Sequence, residues 1–299
     1  QLNVDQLAAG TPAFSVDGDL DNNGGAVKLG GISATVGSFS NDGSLSIQGG
    51  TLTSSGISSN GSNAVATIDL GTTGTLDVDD QFTNGIDGTI NFVDGTVQLE
   101  RTFENNGSLN SNTGALLEFV DAGGATAELK GDFSGSNSLK DFTVHNNAVV
   151  DPADALSTNG SGNPVVVTGA LQVESGGKYG TGDAQAGTVT EQSDLTYNGS
   201  NFDSGGNLFV NKVSFAANNT SSNPTVVEGA VFGEVEIRNN TFVEVGPLNF
   251  DVIGLVGINN GSTLDVSDKT LNLLGDFLVN GSLNATSGAV VFKGEGRTT

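Results

Sequence analysis

The sequence predicts an all-β chain wound into a parallel β-helix, a single elongated repeat domain, and three observations carry that expectation. Short runs that alternate apolar and polar residues, such as 75–78 (TLDV), 96–99 (TVQL) and 289–292 (AVVF), are closed by Asn-Gly, Asp-Gly or Gly-Gly pairs. A period of two puts successive side chains on opposite faces of a strand. No stretch of a dozen residues carries apolar residues at helical spacing without a Gly, Asn or β-branched interruption. The same phrases also return at several places along the chain, as stacked units of one solenoid require.

Taken in order, residues 1–16 (QLNVDQLAAGTPAFSV) precede the first repeat and read as an extended segment, expected to serve as a donor strand or cap, with Pro12 marking where it leaves its own subunit. The β-helix is expected from 17 to 299. GDL at 18–20 opens it and returns as GDF at 131–133 and 275–277. Phe39 is followed by Gly43 and Gly50, Phe103 by Gly107 and Gly114, and Phe277 by Gly281 and Gly288, at the same two offsets each time. Phe82 precedes Gly88 and Gly95 in a shifted copy, and TLDVDD at 75–80 returns as TLDVSD at 263–268. The part around 145–235 is more irregular. Even there, VHNNAVV at 144–150 matches IRNNTFV at 237–243, NPVVVTGAL at 163–171 matches NPTVVEGAV at 223–231, and 158–163 (TNGSGN) is the best surface-loop candidate.

Asn-Gly is also the usual two-residue hairpin turn. Against hairpins, Phe82 and Phe103 are 21 residues apart and Leu20 and Phe39 are 19 apart, close to one circuit of a two- or three-faced coil. Stacked coils would carry Phe39, Phe82, Phe103, Phe133 and Phe277 in the core, with Asn and Gly at the corners, where left-handed backbone is tolerated. About 12 to 15 turns are expected, a rod roughly 60 to 70 Å long at ~4.8 Å per layer.

The segments GDFLVNGSLNATSGAVVFKG (275–294), DFTVHNNAVV (141–150) and GALQVESGG (169–177) resemble the degenerate repeats of bacterial secreted and surface β-solenoids, among them autotransporter passengers and filamentous adhesins. The resemblance covers most of the chain. It implies a right-handed parallel β-helix, in keeping with the general right-handed bias of parallel crossovers, and an extracellular or cell-surface life.

Composition narrows the function. Ten Lys plus Arg against 34 Asp plus Glu give a formal net charge of −24, which opposes nucleic acid or an anionic membrane surface as partner. Without Cys there is no disulfide or thiol nucleophile. No apolar run has the length of a membrane span, and two Tyr with no Trp argue against the aromatic girdles of a membrane barrel. Gln1 is expected to be the mature N-terminus of a secreted protein. His145 is the sole histidine, and the matching phrase carries Arg238 there, so it reads as a polar-face residue and no enzyme is expected. The Asn-x-Ser/Thr sequons read as turns.

Asp17, Asp19 and Asp21 alternate in VDGDLDNNGG, and alternating oxygen ligands in a Gly/Asn-rich loop suit a hard cation, so they are the calcium candidates; Asp77, Asp79 and Asp80 form a second set. The functional expectation is an extracellular structural protein that assembles end to end with copies of itself into a surface fibre or matrix filament, because the terminal rungs of a solenoid leave unpaired strand edges. The alternative is an adhesin rod that binds glycan or a host surface, favoured if Tyr179, Tyr197, Phe202 and Phe209 face outward. The third is a polysaccharide-degrading β-helix, which needs clustered acids and a base lining a cleft.

Overall fold

A computed structural model describes residues 2–3, 13–112, 114–152, 165–180, 182–183, 188–189 and 194–293. The proposed loop at 158–163 and most of the N-terminal segment lie outside the described residues. The chain is an all-β parallel solenoid of about 12 turns, a rod of roughly 60 Å at ~4.8 Å per layer. Among the described residues there is no α-helix, only a single 3₁₀ turn, Gly135–Asn137. Among the described residues, the one antiparallel strand pair joins Gly182–Asp183 to Thr188–Val189.

One turn consists of three short strands. Thr96–Leu99 forms the first face, Phe103–Asn105 the second and Ser108–Ser111 the third, and Leu116–Phe119 then begins the next turn. Each strand pairs in register with its counterpart one turn away: Val97 with Leu76 and Leu117, Phe103 with Phe82, Leu109 with Ile90. Alternation does the rest. In Thr96–Leu99, Val97 and Leu99 are fully buried while Thr96 and Gln98 remain partly exposed, so each turn lays apolar side chains on those of its neighbours.

Four of the five expected Phe lie in the core, though the strand residue stacked on Phe103 in the following turn is Leu129 and Phe133 comes just after that strand. Phe39, Phe82, Phe103 and Phe133 are buried, and the Phe82 and Phe103 rings stack at 5.6 Å, with Phe133 edge-on to Phe103 at 5.5 Å. Between Phe39 and Phe82 the column is occupied by Ser58, whose backbone pairs with Phe82. A side chain this small lets the two rings close to 5.7 Å across its layer. Phe277 departs from the expectation, being only partly buried, in the last described turn.

Phe277 departs for a second reason. FENNGSLNSNTGALLEF runs over the second, third and first faces in turn, since Phe103 pairs with Phe82, Leu109 with Ile90 and Leu117 with Val97. In FLVNGSLNATSGAVVF, Phe277 pairs with Val256 on the third face, Leu283 with Leu264 on the first and Val290 with Leu271 on the second. The repeated phrase therefore does name consecutive strands of one coil, but the two copies sit one face out of phase and their Phe residues belong to different columns.

The repeated glycines follow from the spacing of layers. Gly107 has no left-handed backbone requirement; a Cβ there would lie 2.3 Å from the carbonyl oxygens of Gly85 and Gly88 in the turn before it. Gly43 stands in the same relation to the Gly25 carbonyl, at 2.3 Å. Real Cβ atoms do not approach oxygen so closely, so the corner accepts only Gly. Left-handed backbone, the reason anticipated from sequence, applies at other corners: Gly114 (φ 83°) at the end of the Phe103 phrase, Gly261 (φ 82°), Asn147 (φ 64°) and Asn240 (φ 56°).

Beside this glycine column runs a ladder of buried asparagines. Asn22 Nδ2 donates to Asn41 Oδ1 (2.7 Å), Asn41 to Asn60 (2.7 Å), Asn60 to Asn84 (2.9 Å) and Asn84 to Asn105 (2.8 Å), and Asn105 donates to the Asp132 carbonyl (2.7 Å). The second amide hydrogen is used as well: Asn60 Nδ2 reaches the Thr89 carbonyl and Asn84 Nδ2 the Ser108 carbonyl, each at 3.2 Å. A buried amide is costly only when unpaired, and stacking at one position per turn pairs each with the next.

Through the irregular middle the coil continues with longer excursions. Phe142–Val144 pairs with Leu171–Val173 on the first face, Val149 and Val150 with Lys178 and Tyr179 on the second, and Val165–Val167 with Leu195–Tyr197 on the third. Ala13–Asn22 already pairs with Ser33–Asn41, so the regular coil includes residues 13–16, and Leu2–Asn3 pairs with Val27–Lys28 of its own chain.

Candidate functional site

Four places on the rod bear on function. The first is the outer edge of the opening turns. Asp17, Asp19 and Asp21 are all exposed on the strand Ala13–Asn22, which carries a register shift between Val16 and Asp19. The loop expected for calcium is thus a strand, and extended backbone sets alternate residues roughly 7 Å apart, so the three carboxylates fan out along the edge. Asp19 accepts from the Ser38 hydroxyl (2.6 Å) and Asp21 from the Asn23 amide (3.0 Å). Among the described residues no three His, Asp or Glu side chains gather in an arrangement that would hold a metal ion.

Asp19 and Asp21 instead border a shallow groove of about 340 Å³ across the first turns, shared with Ser40, Asp42, Ile57 and Asn63. Asp42 is buried beneath it, and the backbone N–H and then the side-chain amide of Asn63, each 3.1 Å away, hold its carboxyl below the usual carboxylate range. The groove offers hydroxyls, amides and carboxylates. Its lining carries the carboxylates of Asp19, Asp21 and Asp42 and no Lys, Arg or His.

The second place is an acidic edge along the first face. Asp77 is half-buried on Thr75–Val78 and accepts from the Thr53 hydroxyl at 3.3 Å. Burial pushes its carboxyl above the ordinary value, with Asp79 and Glu118 adding to the effect; Glu100 is raised likewise by burial, then by Asp79 and Asp77.

His145 is the third. It stands on the outer surface, as its polar-face reading expects, but its neighbours are specific: Nε2 lies 3.0 Å from Glu118 Oε2 and Nδ1 lies 3.2 Å from Glu174 Oε1. Arg238 is not its structural counterpart. VHNNAVV turns from the first face to the second, whereas IRNNTFV turns from the third to the first, since Ile237 pairs with Ile258 and Val243 with Leu264. The two phrases match because both bend at the same kind of Asn-Asn corner, with Ala148 N–H bonded to the His145 carbonyl and Thr241 N–H to the Arg238 carbonyl.

The fourth is the C-terminal end of the described rod. Phe277–Val279, Ser282–Asn284 and Ala289–Phe292 each pair on one side only among the described residues. Their apolar side chains are uncovered: Phe292 is 63% exposed, Leu278 53% and Val279 41%, while Phe277, Leu283 and Val290 rest half-covered on the core. Tyr179, Tyr197, Phe202 and Phe209, by contrast, are all buried, and the Tyr197 hydroxyl has the carbonyls of Gly169 and Asn201 within reach of its single proton. They offer no external surface for stacking a sugar ring.

Sequence reasoning missed the asparagine ladder and the neighbours of His145. A signal for the ladder was present: Asn41, Asn84 and Asn105 each follow a buried Phe by two residues, which on a strand means the same inward side. For the histidine no signal existed, because Glu118 and Glu174 lie one turn away on either side. Among the described residues no helix is long and apolar enough to cross a membrane. No family model, curated protein or solved structure matches the chain.

Proposed function

We propose that this protein is a structural, non-enzymatic rod of an extracellular fibre or matrix, and that it lengthens by stacking end to end on copies of itself. The observation that carries the reading is the C-terminal turn, with three strand edges paired on one side only among the described residues and an apolar cross-section of Phe277, Val279, Leu283, Val290 and Phe292. Another coil end has the matching shape, because every internal turn of the rod is covered in just that way by its neighbour. Since Leu2–Asn3 pairs within its own chain, stacking of whole ends is favoured over donation of the N-terminal segment. The extracellular setting rests on the resemblance to secreted solenoids and on the acidic composition.

Purified protein at high concentration is expected to form uniform filaments by negative-stain electron microscopy, and Phe292→Asp with Val279→Asp to abolish them while leaving the thermal midpoint nearly unchanged. A full chain that stays monomeric at high concentration sinks the fibre reading. The second reading, an isolated adhesin rod, is favoured by the polar groove beside Asp19 and Asp21, and glycan binding lost on substituting groove residues would support it.

A further inference from the structure

His145 continues a first-face strand into its corner, and the residue stacked beyond it, Glu174, occupies the same position one turn on: His145 N–H bonds the Phe119 carbonyl and Glu174 N–H the Val144 carbonyl. Glu118 points to the same edge from the turn before. The imidazole thus lies between two carboxylates, 3.0 Å from Glu118 at Nε2 and 3.2 Å from Glu174 at Nδ1. A carboxylate oxygen only accepts, so each contact needs an N–H, and only the imidazolium carries both; the neutral ring donates to one and turns a lone pair toward the other.

We infer that His145 is a proton-dependent clasp across three successive turns: protonated, it ties the turn of Glu118 to the turn of Glu174; neutral, it keeps an N–H for only one of the two carboxylates and releases the other, which then faces a lone pair. Glu174 is also held independently of the ring, because its second oxygen accepts from Asn146 N–H at 2.9 Å. Glu118 also shares its edge with Asp77, and release of the proton adds an uncompensated charge to an acidic row.

The electrostatics run the same way. Partial burial disfavours the charged ring, but the hydrogen bond and charge of Glu118, followed by the charge and hydrogen bond of Glu174, outweigh it and raise the pKa above 6.5; these two carboxylates are the charged groups acting on the ring. A histidine whose folded value exceeds its unfolded one contributes its full stabilisation below the unfolded value and loses it as pH rises through the folded one. The clasp therefore holds in mild acid and loosens in mild alkali. It fastens the turns with the longest excursions, which run from Asp141 to Val167 and from Leu171 to Tyr197.

A single histidine makes the test direct. Ring-proton NMR of the intact protein should show a titration midpoint above 6.5, lowered by Glu118→Gln and again by Glu174→Gln. Amide exchange at Val144 and Val173, corrected for its intrinsic pH dependence and referred to Val78 and Leu99 in the same sample, should accelerate between about pH 5 and pH 8. The gain is about tenfold for each unit separating folded from unfolded midpoints, and His145→Gln should abolish it. A midpoint at or below 6.5, a midpoint unmoved by both Gln variants, or equal pH responses of the two sets of amides overturns the clasp.

Discussion

The asparagine ladder is where a single residue decides most. Asn84 accepts from Asn60 and donates to Asn105 and to the Ser108 carbonyl, with none of these groups open to solvent through Asn84 itself. Replacing it by Ala strands one donor and two acceptors inside the rod, and each buried unpaired group costs about 1 to 3 kcal/mol, with some relaxation expected. Asn84→Ala is expected to lose about 3 kcal/mol in urea denaturation, whereas Asn110→Ala, which removes an exposed amide pair with Asn91, should change stability by less than about 0.5 kcal/mol. In the sequence these asparagines stood next to glycines and read as turn formers. Only the parity with Phe39, Phe82 and Phe103 separates an inward Asn from a corner Asn, and parity becomes meaningful once the strand boundaries are known.

At the scale of elements, the third face is interrupted after Ser108–Ser111, where the next turn supplies the 3₁₀ turn Gly135–Asn137 in place of a strand. The exposed edge is closed by side chains imitating backbone. Asn137 Oδ1 accepts from Leu109 N–H (2.9 Å), its Nδ2 donates to the Gly107 carbonyl (3.2 Å), and the Ser111 hydroxyl accepts from Lys140 N–H (2.8 Å). Asn137→Ala is expected to cost about 1 to 3 kcal/mol and to raise hydrogen exchange at Leu109 far more than at Ile90, which keeps its strand partners on both sides. Strands with clean alternation, such as Thr75–Val78 and Thr96–Leu99, were legible because burial enforces their period. The break at 132–140 was not, since a side chain that substitutes for a strand leaves no periodic trace.

For the whole molecule, the formal charge of −24 sets the terms of any assembly. Two copies approaching end to end repel one another through solvent, and that repulsion is screened within about 10 Å at ~0.1 M salt. Filament growth followed by light scattering is therefore expected to accelerate with added salt, and a growth rate that falls with salt would point to a contact held by opposite charges instead of apolar ends. Repeat and alternation together were enough to read a solenoid from the sequence, because stacking similar residues turn upon turn is what the fold consists of. The phase of the repeats was not legible: Phe277 matched the Phe103 phrase in its glycine offsets, and nothing in that match revealed that the two Phe belong to different faces.

The phase difference between the two copies of FENNGSLN and FLVNGSLN has a consequence for how such a rod tolerates change. If one phrase fits any side of the triangle, the grammatical unit of the chain is a strand with its corner, a third of a circuit, and not the full circuit. Gaining or losing one unit would not disrupt the layers downstream; it would rotate the whole downstream pattern of outward residues about the axis by one side, leaving the interior as it was. Surface markings such as the acidic edge and the His145 column can thus be re-aimed around the rod by small insertions, while the core that carries them stays the same.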